Sequence, residues 1–264
     1  MTKRIGIIGF GFIGRYIYEQ ISSGHVPGLE VAFVWNRSSA RLEGLPAELI
    51  LADLDDFQQF SPDLTVEMCH PAISKKYGER LLAGTDYLMA SVTAMADAEL
   101  NQRLIAAAER HQHGLFIPHG ALVGVDNLRD GQDNWSEVTI TFRKHPKSLD
   151  FSAAGIDPAT ITAATVIFDG SVRDIAKIFQ RNVNTMATCA MAGLGFDKTR
   201  AILIADPALT SMSAEVTAVG KDGGLLETKK VEQAAGVSGT GMLKSQLGSI
   251  RRAALGGLPG INFV

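Results

Sequence analysis

The apolar positions near the start of the chain fall into two short blocks separated by a helical stretch. Ile5, Ile7 and Ile8 form the kind of run a strand buried on both faces carries, Arg15–Ser22 reads as a helix, and Leu29–Trp35 is a second apolar strand. The rhythm continues downstream. Leu64–Met68 reads as the fourth strand, Ile73–Leu82 as a helix, and Tyr87–Ser91 as a further strand. Asp97 can cap a long amphipathic helix with Leu100, Leu104, Ile105 and Ala108 on one face, and Leu115–Pro118 closes the series. Strands alternating with helices in this way predict an α/β fold with a doubly wound parallel sheet.

The pattern then changes. Glu137–Arg143 (EVTITFR) alternates apolar and polar residues, as a strand with one solvated face does, and Ala201–Ile204, Glu215–Val219 and Leu225–Thr228 are further strand candidates. A helical pair, Val172–Phe179 and Thr185–Leu194, lies between them. Together they predict a smaller α+β domain. Met242–Leu255 reads as a helix with no strand after it, and its apolar face needs a surface to cover it, so it is expected to pack back onto the first domain.

The turn after the first strand carries chemistry. Gly9, Gly11 and Gly14 stand at G-x-G-x-x-G spacing between a strand and a helix, the context in which this motif binds a dinucleotide. Gly9 suits the tight turn, Gly11 lets backbone approach a pyrophosphate, and Gly14 lets helix and strand pack closely. The helix N-terminus adds free N–H groups and partial positive charge, so Gly9, Gly11, Phe12, Ile13 and Gly14 are the expected phosphate contacts. A Rossmann domain over residues 1–126 follows, with a substrate and oligomerisation domain over 127–241 and the C-terminal helix in 242–264.

The end of the second strand bears on cofactor choice. An NAD site places Asp or Glu there for the ribose hydroxyls, whereas the 2'-phosphate of NADP calls for a cation instead. No acid occurs between Glu30 and Glu43; the chain offers Asn36, Arg37, Ser38, Ser39 and Arg41. NADP is therefore the expected cofactor, with Asn36, Arg37 and Ser38 as contacts. NAD stays possible if Arg37 and Arg41 are solvated loop charges.

Composition narrows the partners. The 264 residues are 46% hydrophobic, enough for two domains with sizeable cores. A net charge of -3 gives no electrostatic footprint for nucleic acid, which favours a small metabolite. No apolar run reaches the ~18 residues a membrane helix needs, and the first strand begins at once without an apolar leader, so a cytoplasmic protein is expected. Cys69 and Cys189 lie far apart in no zinc-like spacing, so both are expected to be reduced, buried small hydrophobes and no metal site is expected.

Several further stretches together resemble the L-aspartate dehydrogenase family: Ser91–Asp97 (SVTAMAD), Pro118-His119-Gly120-Ala121 with Gly124 and Asp126, Arg143-Lys144, Phe168-Asp169-Gly170, Asn182-Val183-Asn184, Ala192–Gly195 and Ala205-Asp206-Pro207. Their order and spacing fit from Ile5 to about Ile250. The resemblance implies a nicotinamide-dependent enzyme that interconverts L-aspartate and iminoaspartate, with Ala121 and Asn184 as cofactor contacts. Asn184 could equally cap the helix beginning at Thr185. A homodimer acting on a small amino or keto acid is expected.

The chain also departs from the family. The family's Asn-x-His after Ala-Asp-Pro, whose histidine is the catalytic acid/base, falls on Met212 and Ala214, and its Asn-Pro-Lys-Thr-Ser falls on Gly239–Leu243. Hydride exchange at a carbon bearing nitrogen or oxygen needs a group that takes the heteroatom's proton, and imidazole suits that near neutral pH. His119 and His70 stand at suggestive places; hydrogen-bonded histidines of a polar wall are the plainer alternative. Lys144 could hold a substrate carboxylate or be a solvated charge. The chain is thus expected to be an NAD(P)-dependent oxidoreductase on CH–NH2 groups with an altered active site, the alternative being a non-catalytic NAD(P)-binding sensor or subunit.

Overall fold

A computed structural model describes residues 2–235, 238–239 and 241–256. The described chain divides into two compact units. One holds the chain up to Ser91, Ala98–Pro118 and the terminal helix from Leu243; the other holds Val92–Asp97 and His119–Met242.

The first unit is built on β1 (Lys3–Ile8), whose Ile5, Ile7 and Ile8 are fully buried. It is followed by α1 (Phe12–Ser22), β2 (Leu29–Trp35), β3 (Leu64–Glu67), α2 (Pro71–Leu82), β4 (Asp86–Met89), α3 (Ala98–His111) and β5 (Leu115–Phe116). The sheet order is β2-β1-β3-β4-β5 with every pair parallel, the doubly wound arrangement expected of the alternation. Leu64–Met68 forms the third strand, not the fourth. Between it and β2 the chain makes only short 3-10 turns, the last placing Leu54 and Phe57 inward at i, i+3 spacing. On α3 the buried stripe runs Leu100, Leu104, Ala107, and Ile105 is 43% exposed, because the helix turns it off the covered face.

The terminal helix α7, introduced after the second unit's strands in the chain, spans Gly241–Leu255. Its Ile250 is fully buried in the cluster that contains Ile5, Ile17, Ile21 and Leu29, and Leu247, Ala253, Ala254 and Leu255 pack at the edge of that cluster. The helix thereby gains the cover that its apolar stripe requires.

In the second unit α4 (Val125–Asp130) precedes β6 (Trp135–Lys144), β7 (Thr165–Ser171), α5 (Val172–Ile178), α6 (Asn184–Ala192), β8 (Arg200–Ala205), β9 (Ser211–Gly220), β10 (Leu225–Ala235) and β11 (Ser238–Gly239). These strands form one sheet in the order β11-β10-β9-β6-β8-β7, mixed because β6 and β8 run parallel. One face is covered: Val138, Ile140, Phe142 and Lys144 of β6 alternate inward beside Met212, Ala214, Val216 and Ala218 of β9. The strand β7 had no counterpart in the sequence reading. It lies at the sheet edge and buries little, so its apolar alternation is faint.

Candidate functional site

Three glycines of the first turn serve the fold differently. Gly9 has φ +100, and a Cβ there would lie 2.6 Å from that of Cys69. A Cβ on Gly14 would run into the carbonyl oxygen of Gly9, so α1 can pack on β1 only with glycine at that point. At Gly11 the nearest atom is Nη1 of Arg41, 3.8 Å away. The fold does not need a glycine at 11. Gly11 is also the N-cap of α1 and has no side chain to satisfy the first-turn N–H groups. Phe12 beside it is 59% exposed, and Ile13 is half-buried against the core.

Asn36 ties the end of β2 to this turn. Its Oδ1 accepts a hydrogen bond from the Phe10 backbone N–H (3.0 Å), and its Nδ2 donates to the Ser38 carbonyl (3.0 Å). Arg37 and Ser38 are exposed. The structure therefore occupies both ends of the Asn36 amide and leaves Arg37 exposed at the strand end.

Under the neighbouring strand end lies a residue whose importance the sequence reading missed. Glu67 is fully buried at the end of β3, where its carboxylate accepts the backbone N–H groups of Cys69 (2.7 Å), His70 (2.7 Å) and Ser91 (3.0 Å), and the Ser91 hydroxyl (2.9 Å). A buried carboxylate is tolerable only when so fully hydrogen-bonded. The signal was an acid inside the apolar run LTVEM. Cys69, expected to be buried, is only partly so; desolvation and the Glu67 charge push its thiol well above the usual range, which keeps it protonated. Cys189 is buried as expected, and desolvation pushes its thiol up to about 12.

His70 is exposed and acts as the N-cap of α2, its Nδ1 accepting the Ala72 N–H at 3.1 Å. This bond requires a lone pair on Nδ1, so Nε2 is the nitrogen left for other chemistry. His119 belongs to the second unit, is half-buried, and opens a tight turn in which its carbonyl accepts the Leu122 N–H (2.9 Å).

That turn leads to the second unit's expected cofactor residues. Gly120 has φ +60, and the N–H of the buried Ala121 donates to Thr185 Oγ1 at 3.3 Å. Asn184 is not the helix cap: Val183 takes that position, and Asn184 is the first helical residue. Its Oδ1 instead accepts the Thr93 N–H (3.1 Å), and the Thr93 hydroxyl donates to the Gln180 carbonyl (2.7 Å). Because an N–H faces Oδ1, the amide orientation is settled and Nδ2 is the donor Asn184 can offer a ligand. The structure thus brings Thr93, Ala121, Asn184 and Thr185 together at the start of α6.

Lys144 is not a solvated charge. It takes an inward position of β6, is 3% exposed, and lies with Nζ 4.9 Å from the centre of the Phe142 ring. Nζ donates to the Asn182 carbonyl (3.0 Å), and Asn182 in turn holds Ser148 and Asp150, so Lys144 anchors the segment just before Asn184. Desolvation lowers its pKa to about 8. Met212 and Ala214 lie on the same covered face, 6% and 7% exposed, and offer no proton carrier. Of Gly239–Leu243, Thr240 lies outside the described residues. Among the described residues no helix is long and apolar enough to cross a membrane.

Comparison with known proteins adds relatives along nearly the whole chain. A family model described as "Homoserine dehydrogenase, NAD binding domain" matches residues 9–118, and one described as "Aspartate dehydrogenase, C-terminal" matches residues 126–243. An aspartate dehydrogenase domain-containing protein of Danio rerio is 36% identical, covering 86% of this chain and 85% of its own. An L-aspartate dehydrogenase of Methanosarcina mazei is 34% identical, covering 83% of this chain and 84% of its own. Among solved structures, an aspartate dehydrogenase from Thermotoga maritima aligns over 100% of both chains with a TM-score of 0.77 and 26% identity.

Proposed function

The chain belongs to the aspartate dehydrogenase family of NAD-binding oxidoreductases, and from that premise we propose that it is an NADP-preferring dehydrogenase acting on the CH–NH2 group of a small amino acid, or on the matching imino or keto acid. The observation that carries the reading is Gly11: the space above it is open, a guanidinium stands beside it, and the α1 N–H groups around it have no side-chain cap. A dinucleotide pyrophosphate satisfies all three features.

A bound nicotinamide would supply the hydride acceptor. The chain's own part is to hold and to move protons. We assign Asn184 Nδ2 and the Ala121 region the task of orienting the nicotinamide ring, a reading supported by the hydrogen bond through which Thr93 holds the Asn184 amide. Since Ala214 cannot transfer a proton, we assign that task to a histidine, His119 or His70. The protein is further proposed to be a cytoplasmic homodimer.

A second reading, a non-catalytic NAD(P)-binding protein, is favoured by the apolar pair Met212 and Ala214 on the covered face. Titration with NADPH followed by fluorescence, and then an assay of NADP reduction with L-aspartate and other small amino acids, separates the two. Both readings expect NADPH to bind, and only the dehydrogenase expects substrate-dependent reduction. Failure to bind either NADPH or NADH would overturn both.

A further inference from the structure

The two stretches that depart from the family's pattern converge on one ion pair. Lys230 Nζ lies 2.8 Å from Glu232 Oε1 on β10, with the two side chains 28% and 10% exposed. In the ladder between β9 and β10, Lys230 is registered opposite Ala214 and Glu232 opposite Met212. Residues so opposed hold their Cβ atoms ~5 Å apart on one face of the sheet. The same carboxylate abuts Gly241, where α7 begins: a Cβ there would run into Glu232 Oε1 and would lie 3.5 Å from Lys230 Nζ. Ala214, Met212 and Gly241, three of the described departures, are therefore neighbours of a single charge pair. They leave beside it a methyl group, a thioether and bare backbone, none of which neutralises either charge.

Fold stability does not account for the pair. A largely buried ion pair against apolar neighbours costs about as much in desolvation as its attraction returns, and apolar residues of similar volume commonly do as well. An ammonium carries three donors and a carboxylate about four acceptor sites, and the pair itself uses one of each.

Resting on the dehydrogenase reading, we propose that Lys230 and Glu232 are the substrate-recognition pair of this chain and that the ligand class is a zwitterionic α-amino acid. The α-carboxylate meets Lys230 and the α-ammonium meets Glu232, so opposite charges one carbon apart in the ligand face opposite charges two residues apart on one strand. The polar contacts that the family pattern places on β9 and before α7 are here supplied from β10. A 2-oxo acid, which lacks the ammonium, forfeits the Glu232 contact and binds more weakly.

The test is calorimetric titration of the NADPH-loaded protein with L-aspartate, L-glutamate and L-alanine. With the reduced cofactor and the amino acid present, hydride has no acceptor, and binding is read without turnover. Wild type is expected to bind at least one of the three. Lys230→Met and Glu232→Gln should each weaken that binding 10-fold or more, and Gly241→Ala should mimic Glu232→Gln by displacing the carboxylate. NADPH affinity should stay unchanged in all of them. The double variant Lys230→Met with Glu232→Met separates recognition from structure: it should melt like wild type and bind no amino acid. Wild-type affinity in that double variant overturns the proposal and leaves the dehydrogenase reading standing. A wild type that binds NADPH but none of the three amino acids overturns the proposal while its cofactor half stands, and a wild type that binds no cofactor overturns both.

Discussion

Nη1 of Arg41 stands 3.8 Å from the point a Cβ on Gly11 would occupy, which sets a guanidinium beside the glycine turn from a segment well beyond it in the chain. The nearest polar residue at the end of β2, Asn36, is held at both ends of its amide by Phe10 and Ser38 and so is a strut of the turn. The proposed preference for NADP then rests on the exposed cations Arg37 and Arg41. A charge-assisted hydrogen bond to a phosphate contributes about 1.5–3 kcal/mol, roughly 10- to 100-fold in affinity. NADPH should bind more tightly than NADH, and Arg37→Ala or Arg41→Ala should weaken NADPH by that order while leaving NADH nearly unchanged. Fluorescence titration of both cofactors checks it; equal dissociation constants in the wild type would refute the preference.

The three glycines of the turn should respond differently to substitution. Gly11→Val meets only the mobile end of Arg41, so the protein should melt within a few degrees of wild type yet lose cofactor binding, because the branch fills the pyrophosphate's space. Gly14→Ala places a methyl group against the Gly9 carbonyl and must push α1 off β1, so it should lower stability by several kcal/mol, the range of overpacked cores and strained backbone. Thermal melts paired with NADPH titration separate the two. Normal NADPH binding by Gly11→Val would mean that residues 9–14 are not the phosphate site.

Lys144 gives a pH signature with a definite sign. Its folded pKa of about 8 lies below the ordinary lysine value of 10.5, so between these pH values the unfolded chain binds more protons than the folded one. Stability due to this group therefore rises as pH increases from about 8 to about 10.5, and below that window burial of the charged form costs on the order of 3 kcal/mol. Lys144→Met keeps the volume and removes the titration. Its stability relative to wild type should fall steadily from pH 7.5 to pH 10.5, as read from denaturant melts at each pH. A difference that is flat with pH would place the Lys144 amine in contact with water.

What could be read in the sequence follows from how local each signal is. The glycine turn, the strand–helix alternation and the strands and helices of a second α+β unit announce themselves within windows of ten residues or so, and the structure has them. Lys144 was within reach too: counting in twos from Val138 puts it inward, but the charge reads as solvated until the register with β9 is known. The partners of Glu67, of Arg41 and of the Lys230–Glu232 pair were out of reach for a different reason. Each matters through partners brought in from distant segments, Ser91 for Glu67, Gly11 for Arg41, and Ala214, Met212 and Gly241 for the ion pair. The edge strand β7 was missed because a strand that buries little leaves little periodicity to count.

Proton transfer decides between the two histidines. His70 holds the N-terminus of α2 through Nδ1, and protonating that nitrogen would abolish the bond from Ala72 N–H, so its ring has a structural task that conflicts with cycling a proton there. His119 opens the turn that carries Ala121, the residue whose N–H meets Thr185 at the start of α6. For whichever amino acid is turned over, His119→Ala should lower kcat by ~10²-fold or more, the usual scale of general acid–base catalysis, and should remove the limb of the pH–rate profile near neutral pH while NADPH affinity stays the same. His70→Ala should cost about 1 kcal/mol of stability through the lost cap and change kcat little. If the rate collapses in His70→Ala instead, Nε2 of His70 is the proton carrier, and if both variants turn over like wild type, neither histidine is.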